Sequence, residues 1–222
     1  MRKITLVSFV LVFFACAIGF FFPEFYKKTG QEIGFLPTTI GIQPYGMVES
    51  DEIDSVKIAI ERMYSREVVI LPTIDLPKMA YTEIRYPRYR ADSLLQWTAE
   101  HKPDSIAVVV GLTNQDISIT KYKEGTRIIK EPSWMYKDFG IFGLGQVGGS
   151  ACVVSSNRLH KGVSDKTFFI RLNRIACHEV GHVLGLHHCP TESCLMNDAN
   201  ESIKTIDKST GILCESCARK IN

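Results

Sequence analysis

The chain has 222 residues, with apolar (45%) and charged (23%) fractions that exclude a disordered or fibrous polypeptide and suit one domain with a full core. Lys and Arg number 26 against 24 Asp and Glu, and Arg2 with Lys3 account for that excess, leaving a neutral body. A neutral body without internal repeats speaks against a nucleic-acid partner, which needs a basic face, and a monomer is expected.

Arg2 and Lys3 precede an apolar run over residues 4–22, the pattern of a secretory signal and also about the length of a membrane-spanning anchor. Phe13-Phe14-Ala15-Cys16 resembles a lipoprotein processing site with Cys16 as the lipidated residue, although the run continues past it. Residues 1–22 are therefore expected to attach the chain to a membrane, facing outside the cytoplasm, the mode left open. Residues 23–38, with Pro23, Gly30, Gly34 and Pro37, read as a tether, and 39–222 as the folded domain.

That domain is expected to open with a strand near residues 39–43, ended by Pro44 and Gly46. A helix capped by Ser50 or Asp51 follows, with Ile53, Val56, Ile60 and Met63 at helical spacing. Val68-Val69-Ile70-Leu71 reads as a strand, and 72–90 as a solvated connector rich in Tyr and Arg that could also meet substrate. A second helix over 91–102 offers Leu94, Leu95 and Trp97 to the core, and Ile106-Ala107-Val108-Val109-Val110 suits a strand buried on both faces. Alternating strands and helices predict an α/β fold. Residues 116–145 favour turns and short strands. Ala151–Ser155 is a further strand, either an ordinary sheet member or an edge on which an extended peptide could pair. Lone His101 and His160 read as packing histidines.

Ser164 or Asp165 caps a long helix to Gly185, with Phe168, Leu172, Ile175, Ala176 and Val183 turned to the core and Cys177 a packed thiol. It carries His178-Glu179-Val180-Gly181-His182, an H-E-x-x-H. Residues four apart share a helix face, so His178 and His182 can hold one metal, with Glu179 beside them as general base. Gly185 can turn the chain and return His188 as a third nitrogen ligand, leaving the fourth position of a tetrahedral zinc for water. His187 competes for that place, and the turn favours His188.

Cys189, Cys194 and Met196 follow at once, and Cys214-Glu215-Ser216-Cys217 comes seventeen residues later. The pattern H-E-x-x-H-x-x-G-x-x-H-C-x4-C-x-M-x17-C-x-x-C over residues 178–217 resembles the archaemetzincins, a metzincin branch of zinc-dependent peptidases. Looser likeness reaches back over Gly111-Leu112-Thr113 and Phe139-Gly140-Ile141-Phe142-Gly143-Leu144-Gly145. The resemblance implies a metzincin-like single α/β domain with a mixed sheet, a long zinc-binding helix and a small C-terminal subdomain stabilised by zinc. It implies that Cys189, Cys194, Cys214 and Cys217 hold a structural zinc, for two Zn2+ per chain, and that Met196 is the methionine of a Met-turn. Two disulfides are the competing reading of the cysteines in an oxidising compartment.

The expected activity is hydrolysis of a peptide or protein substrate by a zinc-activated water with Glu179 as base, with the resemblance implying an aminopeptidase. The rivals are a low-turnover peptide-binding or zinc-sensing protein on the same fold, and a zinc-ribbon interaction module.

Overall fold

The computed structural model describes residues 37–198 and 202–221. The leader, Cys16 and most of the tether lie outside the described residues, and with them the expectation of membrane attachment. Among the described residues no helix is long and apolar enough to cross a membrane.

The main sheet contains β1 (Ile40–Tyr45), β2 (Val68–Ile70), β5 (Val108–Thr113), β8 (Gly143–Gly145) and β9 (Ala151–Ser155), in the order β2-β1-β5-β9-β8. Neighbours are parallel except β8, which runs antiparallel to β9. Side chains alternate across a strand, so each face has its own layer. Ile40, Ile42, Val110, Leu112, Cys152 and Val154 pack with α1 (Ser50–Tyr64) and the long helix α4 (Asp165–Val183). Tyr45 and Val153 face the other way, against Ala91 and Leu94 of α2 (Ala91–Glu100). Helices on both faces explain why all six residues of β5 are buried, as its unbroken apolar run predicts. Pro44 sits inside β1 rather than ending it, because the β1–β2 ladder stops at Ile42 and leaves no strand N–H bond for proline to forfeit there.

One sequence expectation needs correction, and one open alternative is decided. Residues 72–90 are not a plain connector: they hold a 3-10 turn at Lys78–Ala80 and the strands β3 (Tyr81–Thr82) and β4 (Arg88–Arg90). With β6 (Ile117–Ile119) and β7 (Phe139–Ile141) they form a second sheet, ordered β3-β4-β6-β7. Strands of two or three residues carry no readable alternation. They form through pairing with distant chain, as Tyr89 does with Ile117. Arg88 is buried in this sheet, its Nη2 3.2 Å from Asp116 Oδ2 and its Nε 3.6 Å from the fully buried Asp138. Second, β9 is not an edge. It lies between β5 and β8, so the exposed rim is β8, and β8 follows β7 after the single residue Phe142. One short run of chain thus joins both sheets.

Helix α4 begins where Ser164 Oγ accepts from Thr167 N at 3.4 Å, and its 19 residues span about 28 Å. It lies along α1, where Tyr64 Oη donates to the Cys177 carbonyl. Cys177 is buried and packed as expected; burial pushes its thiol up to about 12. Beyond α4, a short helix α5 (Ile203–Lys208) is tied back by Arg171, whose Nε and Nη2 both reach the Asp207 carboxylate at 2.7 Å. The remaining helices, α3 (Ser133–Tyr136) and α6 (Glu215–Ala218), are four-residue turns that add no further layer. Leu186, Cys194, Met196 and Cys217 form a separate small cluster, the C-terminal subdomain.

Candidate active site

His178 and His182 project from one face of α4, which ends at Val183. Gly185 then adopts φ +96°, a conformation that L side chains resist, and the chain turns back. That turn carries His188 to the other two, and one ring nitrogen from each of His178, His182 and His188 lies within 4.8 Å of the others. His187 stays outside this group, exposed but lining the same cleft. The Nδ1 of His178 lies 2.8 Å from the Leu195 carbonyl and that of His182 2.7 Å from the Leu186 carbonyl. A carbonyl only accepts, so Nδ1 carries the proton in both rings and Nε2 keeps its lone pair. Burial lowers His178 to about 4 and moves His182 down as well, favouring the neutral form that ligates metal. His188 is more open, its Nδ1 3.7 Å from Asp198 Oδ2.

Glu179 occupies the gap between α4 and β8. Burial pushes its carboxyl up to about 8, opposed by a hydrogen bond from the Gly145 N–H; a divalent cation at the histidines acts in the same direction as that bond. The strand comes this close because it has no side chains on that face. A Cβ at Gly143 would stand 2.7 Å from Glu179 Cγ, and one at Gly145 2.6 Å from the Glu179 carbonyl oxygen. Both glycines escaped the sequence reading as functional positions; the available signal was their alternation in Gly143-Leu144-Gly145, which puts them on one strand face. Gly181 was missed likewise. Its absent side chain leaves room for Met196, whose Sδ would lie 2.5 Å from a Cβ there. Met196 is wholly buried beneath the histidines' helix.

The four cysteines named from the sequence also come together. One sulfur from each of Cys189, Cys194, Cys214 and Cys217 lies within 4.8 Å of the rest. Cys189 Sγ is 3.8 Å from Cys214 Sγ, and Cys194 Sγ 4.0 Å from Cys217 Sγ. Zn–S bonds of about 2.3 Å in a tetrahedron put sulfurs roughly 3.8 Å apart, whereas a disulfide needs about 2 Å. All four are free thiols. The thiols divide: the backbone N–H of Cys217 is the main cause that draws Cys214 down to about 6, whereas burial pushes Cys194 and Cys217 up, although Cys194 Sγ accepts from Cys214 N at 3.3 Å. Both clusters therefore fit zinc by donor chemistry and spacing.

A cleft of about 690 Å³ runs between β7–β8 and α4, with the three histidines and Glu179 on its wall. Arg85, Tyr86 and Arg88 line it too, so the Tyr/Arg-rich stretch reaches the cleft rather than only connecting elements. His101 stacks on Trp97 and His160 on Phe168, both as packing residues.

The sequence model of Peptidase family M54 matches residues 41–222. The chain is 30% identical over 182 residues to the archaemetzincin of Archaeoglobus fulgidus, covering 82% of this chain and 98% of that one. It is 27% identical over 190 residues to the archaemetzincin of Halobacterium salinarum, with the same coverage. A crystal structure of the Archaeoglobus fulgidus protein, complexed with malonate, superposes with a TM-score of 0.63 at 29% identity, covering 82% of this chain and 99% of that one. The archaemetzincin structure from Methanopyrus kandleri shares the fold, with a TM-score of 0.64 at 24% identity over 83% of this chain and 93% of that one. The matched span takes in both donor clusters and the whole described domain, and the chain belongs to Peptidase family M54, the archaemetzincins, as a zinc metallopeptidase.

Proposed function

We propose that the chain hydrolyses peptide bonds with zinc held by His178, His182 and His188 and with Glu179 as general base, and that a second zinc on Cys189, Cys194, Cys214 and Cys217 is structural. The observation that carries this reading is the pairing of three converging imidazole nitrogens with a buried carboxylate beside them. When bound, zinc supplies the Lewis acidity that acidifies a water and polarises a carbonyl.

The chain's own groups do the rest. Leu195 and Leu186 carbonyls fix the tautomer and tilt of two ligands. The Gly145 N–H holds Glu179 in position, where its carboxylate takes a proton from the attacking water and returns it to the leaving amine nitrogen as the C–N bond breaks. The free edge of β8 offers backbone groups to an extended peptide, and antiparallel pairing gives the straighter hydrogen bonds. An aminopeptidase mode is supported by Asp198, whose carboxylate beside His188 can pair with a substrate ammonium. The low-turnover reading is disfavoured because the base and its positioning strand are both intact. We further propose that residues 1–22 hold the domain at a membrane, facing outward; the support is Arg2 and Lys3 before an apolar run broken only by small or weakly polar residues.

The test is a peptide panel with free and acetylated N-termini, run on wild type and Glu179→Ala alongside metal analysis. About two zinc per chain and a loss of roughly 100- to 10,000-fold in kcat with zinc retained are expected. Undiminished cleavage by Glu179→Ala would overturn the mechanism, and equal cleavage of acetylated peptides would overturn the aminopeptidase mode.

A further inference from the structure

One cation on the cleft wall stands apart from the rest. Arg174 precedes His178 by four residues on α4, so the two share a helix face with Cβ atoms about 5–6 Å apart, and both line the cleft. Its Nη1 donates to the carbonyls of Ile206 at 3.0 Å and Asp207 at 3.1 Å, which pins the guanidinium against α5. A Cβ at Gly211 would lie 3.1 Å from its Nε, so the side chain is confined on that side too. The nearby Asp207 carboxylate attracts Arg174 but pairs through both oxygens with Arg171, so one anion is shared between two cations and a positive charge remains. No ion pair reaches Arg174 among the described residues.

The cleft's other cations are engaged. Arg88 and Arg158 are paired with Asp116, Arg85 lies over the Tyr86 and Trp134 rings, and Lys121 lies over Phe139. A confined guanidinium with donors to spare and no carboxylate bonded to it suits a carboxylate ligand, since its planar fork matches two oxygens.

The strand gives the site a direction. Gly143 faces Glu179 Cγ, while Gly145 faces the Glu179 carbonyl and His182 Cβ, so β8 runs alongside α4 in the same sense. Arg174 lies towards the Gly143 end. A peptide paired antiparallel to β8 therefore runs towards Arg174, and its leaving-group side arrives there.

We propose that Arg174 is a specificity-determining residue that binds a substrate carboxylate on the leaving-group side of the scissile bond. The carboxylate is either an Asp or Glu side chain or the peptide's free C-terminus. This assignment rests on the peptidase reading above.

The test uses the zinc-loaded full chain and matched peptide pairs. One arm sets Glu against Gln at the first two positions after the scissile bond, a second sets free against amidated C-termini, and a third sets Glu against Gln before the bond. Wild type is expected to favour the carboxylate after the bond by about tenfold in kcat/KM, and the first two arms tell side chain from terminus. The ratio should fall to about one in Arg174→Gln, stay partly intact in Arg174→Lys, and drop below one in Arg174→Glu. Because each ratio is measured within one variant, a partly unfolded population cancels. A missing preference, one that persists in Arg174→Gln, or one found before the bond overturns the assignment. Failure to cleave any peptide brings down the peptidase reading and this one together; cleavage without the preference brings down only this one.

Discussion

The proposed base, Glu179, can work only if it is held, and the residues that make room for it are glycines. Glu179 fits under β8 because Gly143 and Gly145 present bare backbone to it. Gly143→Ala would press a methyl against the end of a flexible side chain rather than against backbone, so the fold should survive while the carboxylate moves. A roughly ten- to hundredfold fall in kcat/KM is expected, with zinc content and thermal unfolding little changed, since small misplacements of a reacting group carry penalties of that size. Full activity in Gly143→Ala would mean that Glu179 is not the positioned base. The contrast with the histidines shows what a sequence reveals at this scale. His178 and His182 are local to one helix, and chemistry restricts which residue types can bind metal, so they stand out. Gly143 is needed only because a particular strand faces a particular glutamate thirty-six residues on, and nothing near it in the chain announces that.

Helices and strands were legible in proportion to how much of their stability is local. The cap at Ser164, the apolar periodicity of α4 and the unbroken valines of β5 belong to their own segments. The second sheet belongs to none: β4 exists because it pairs with β6, and Arg88 is buried there because Asp116 and Asp138 arrive from elsewhere. The docking of α5 on α4 is likewise tertiary, through Arg171 and Asp207. The Arg171 guanidinium holds the Asp207 carboxyl below its usual range, so this group adds stability above the unfolded carboxylate value of about 3.9 and loses it as pH falls through the lower folded value. Asp207→Asn should therefore unfold at lower denaturant than wild type at neutral pH, with the gap closing below about pH 4. Because the pair is partly open to solvent, the gap should be modest, about 1 kcal/mol or less. A gap that stays constant into acid would assign the effect to packing instead.

At the scale of the molecule, the two donor clusters are joined by one peptide bond, that between His188 and Cys189. On the proposed structural zinc, four thiolates would fix the backbone that delivers the third histidine, and the Cys189 N–H bonded to the Met196 carbonyl at 2.8 Å ties that backbone to the floor of the site. Cys214→Ser is expected to remove about one zinc per chain, lower the unfolding temperature by several degrees and reduce activity through geometry, since it touches no catalytic group. Metal content by elemental analysis and kcat/KM measured together decide this; full zinc and full activity would separate the two sites. The sequence showed both clusters because their spacings are fixed by metal chemistry, whereas the Tyr/Arg-rich stretch offered contact with substrate only as the lesser of two readings, and Arg85 and Tyr86 line the cleft.

The order in which these parts leave the ribosome adds a consequence of the His188–Cys189 junction. The three histidines and Glu179 have all been synthesised by His188, but two of the four cysteines come only with Cys214 and Cys217. At about 5–20 residues per second the histidines wait a second or more for the sulfurs that will hold His188 in place. During that interval, and in any product stopped before Cys214, the chain carries a whole set of catalytic residues and no tetrathiolate to anchor them. On the two-zinc proposal, a peptidase built this way would withhold its full cutting power from the translating cell until its own domain is complete.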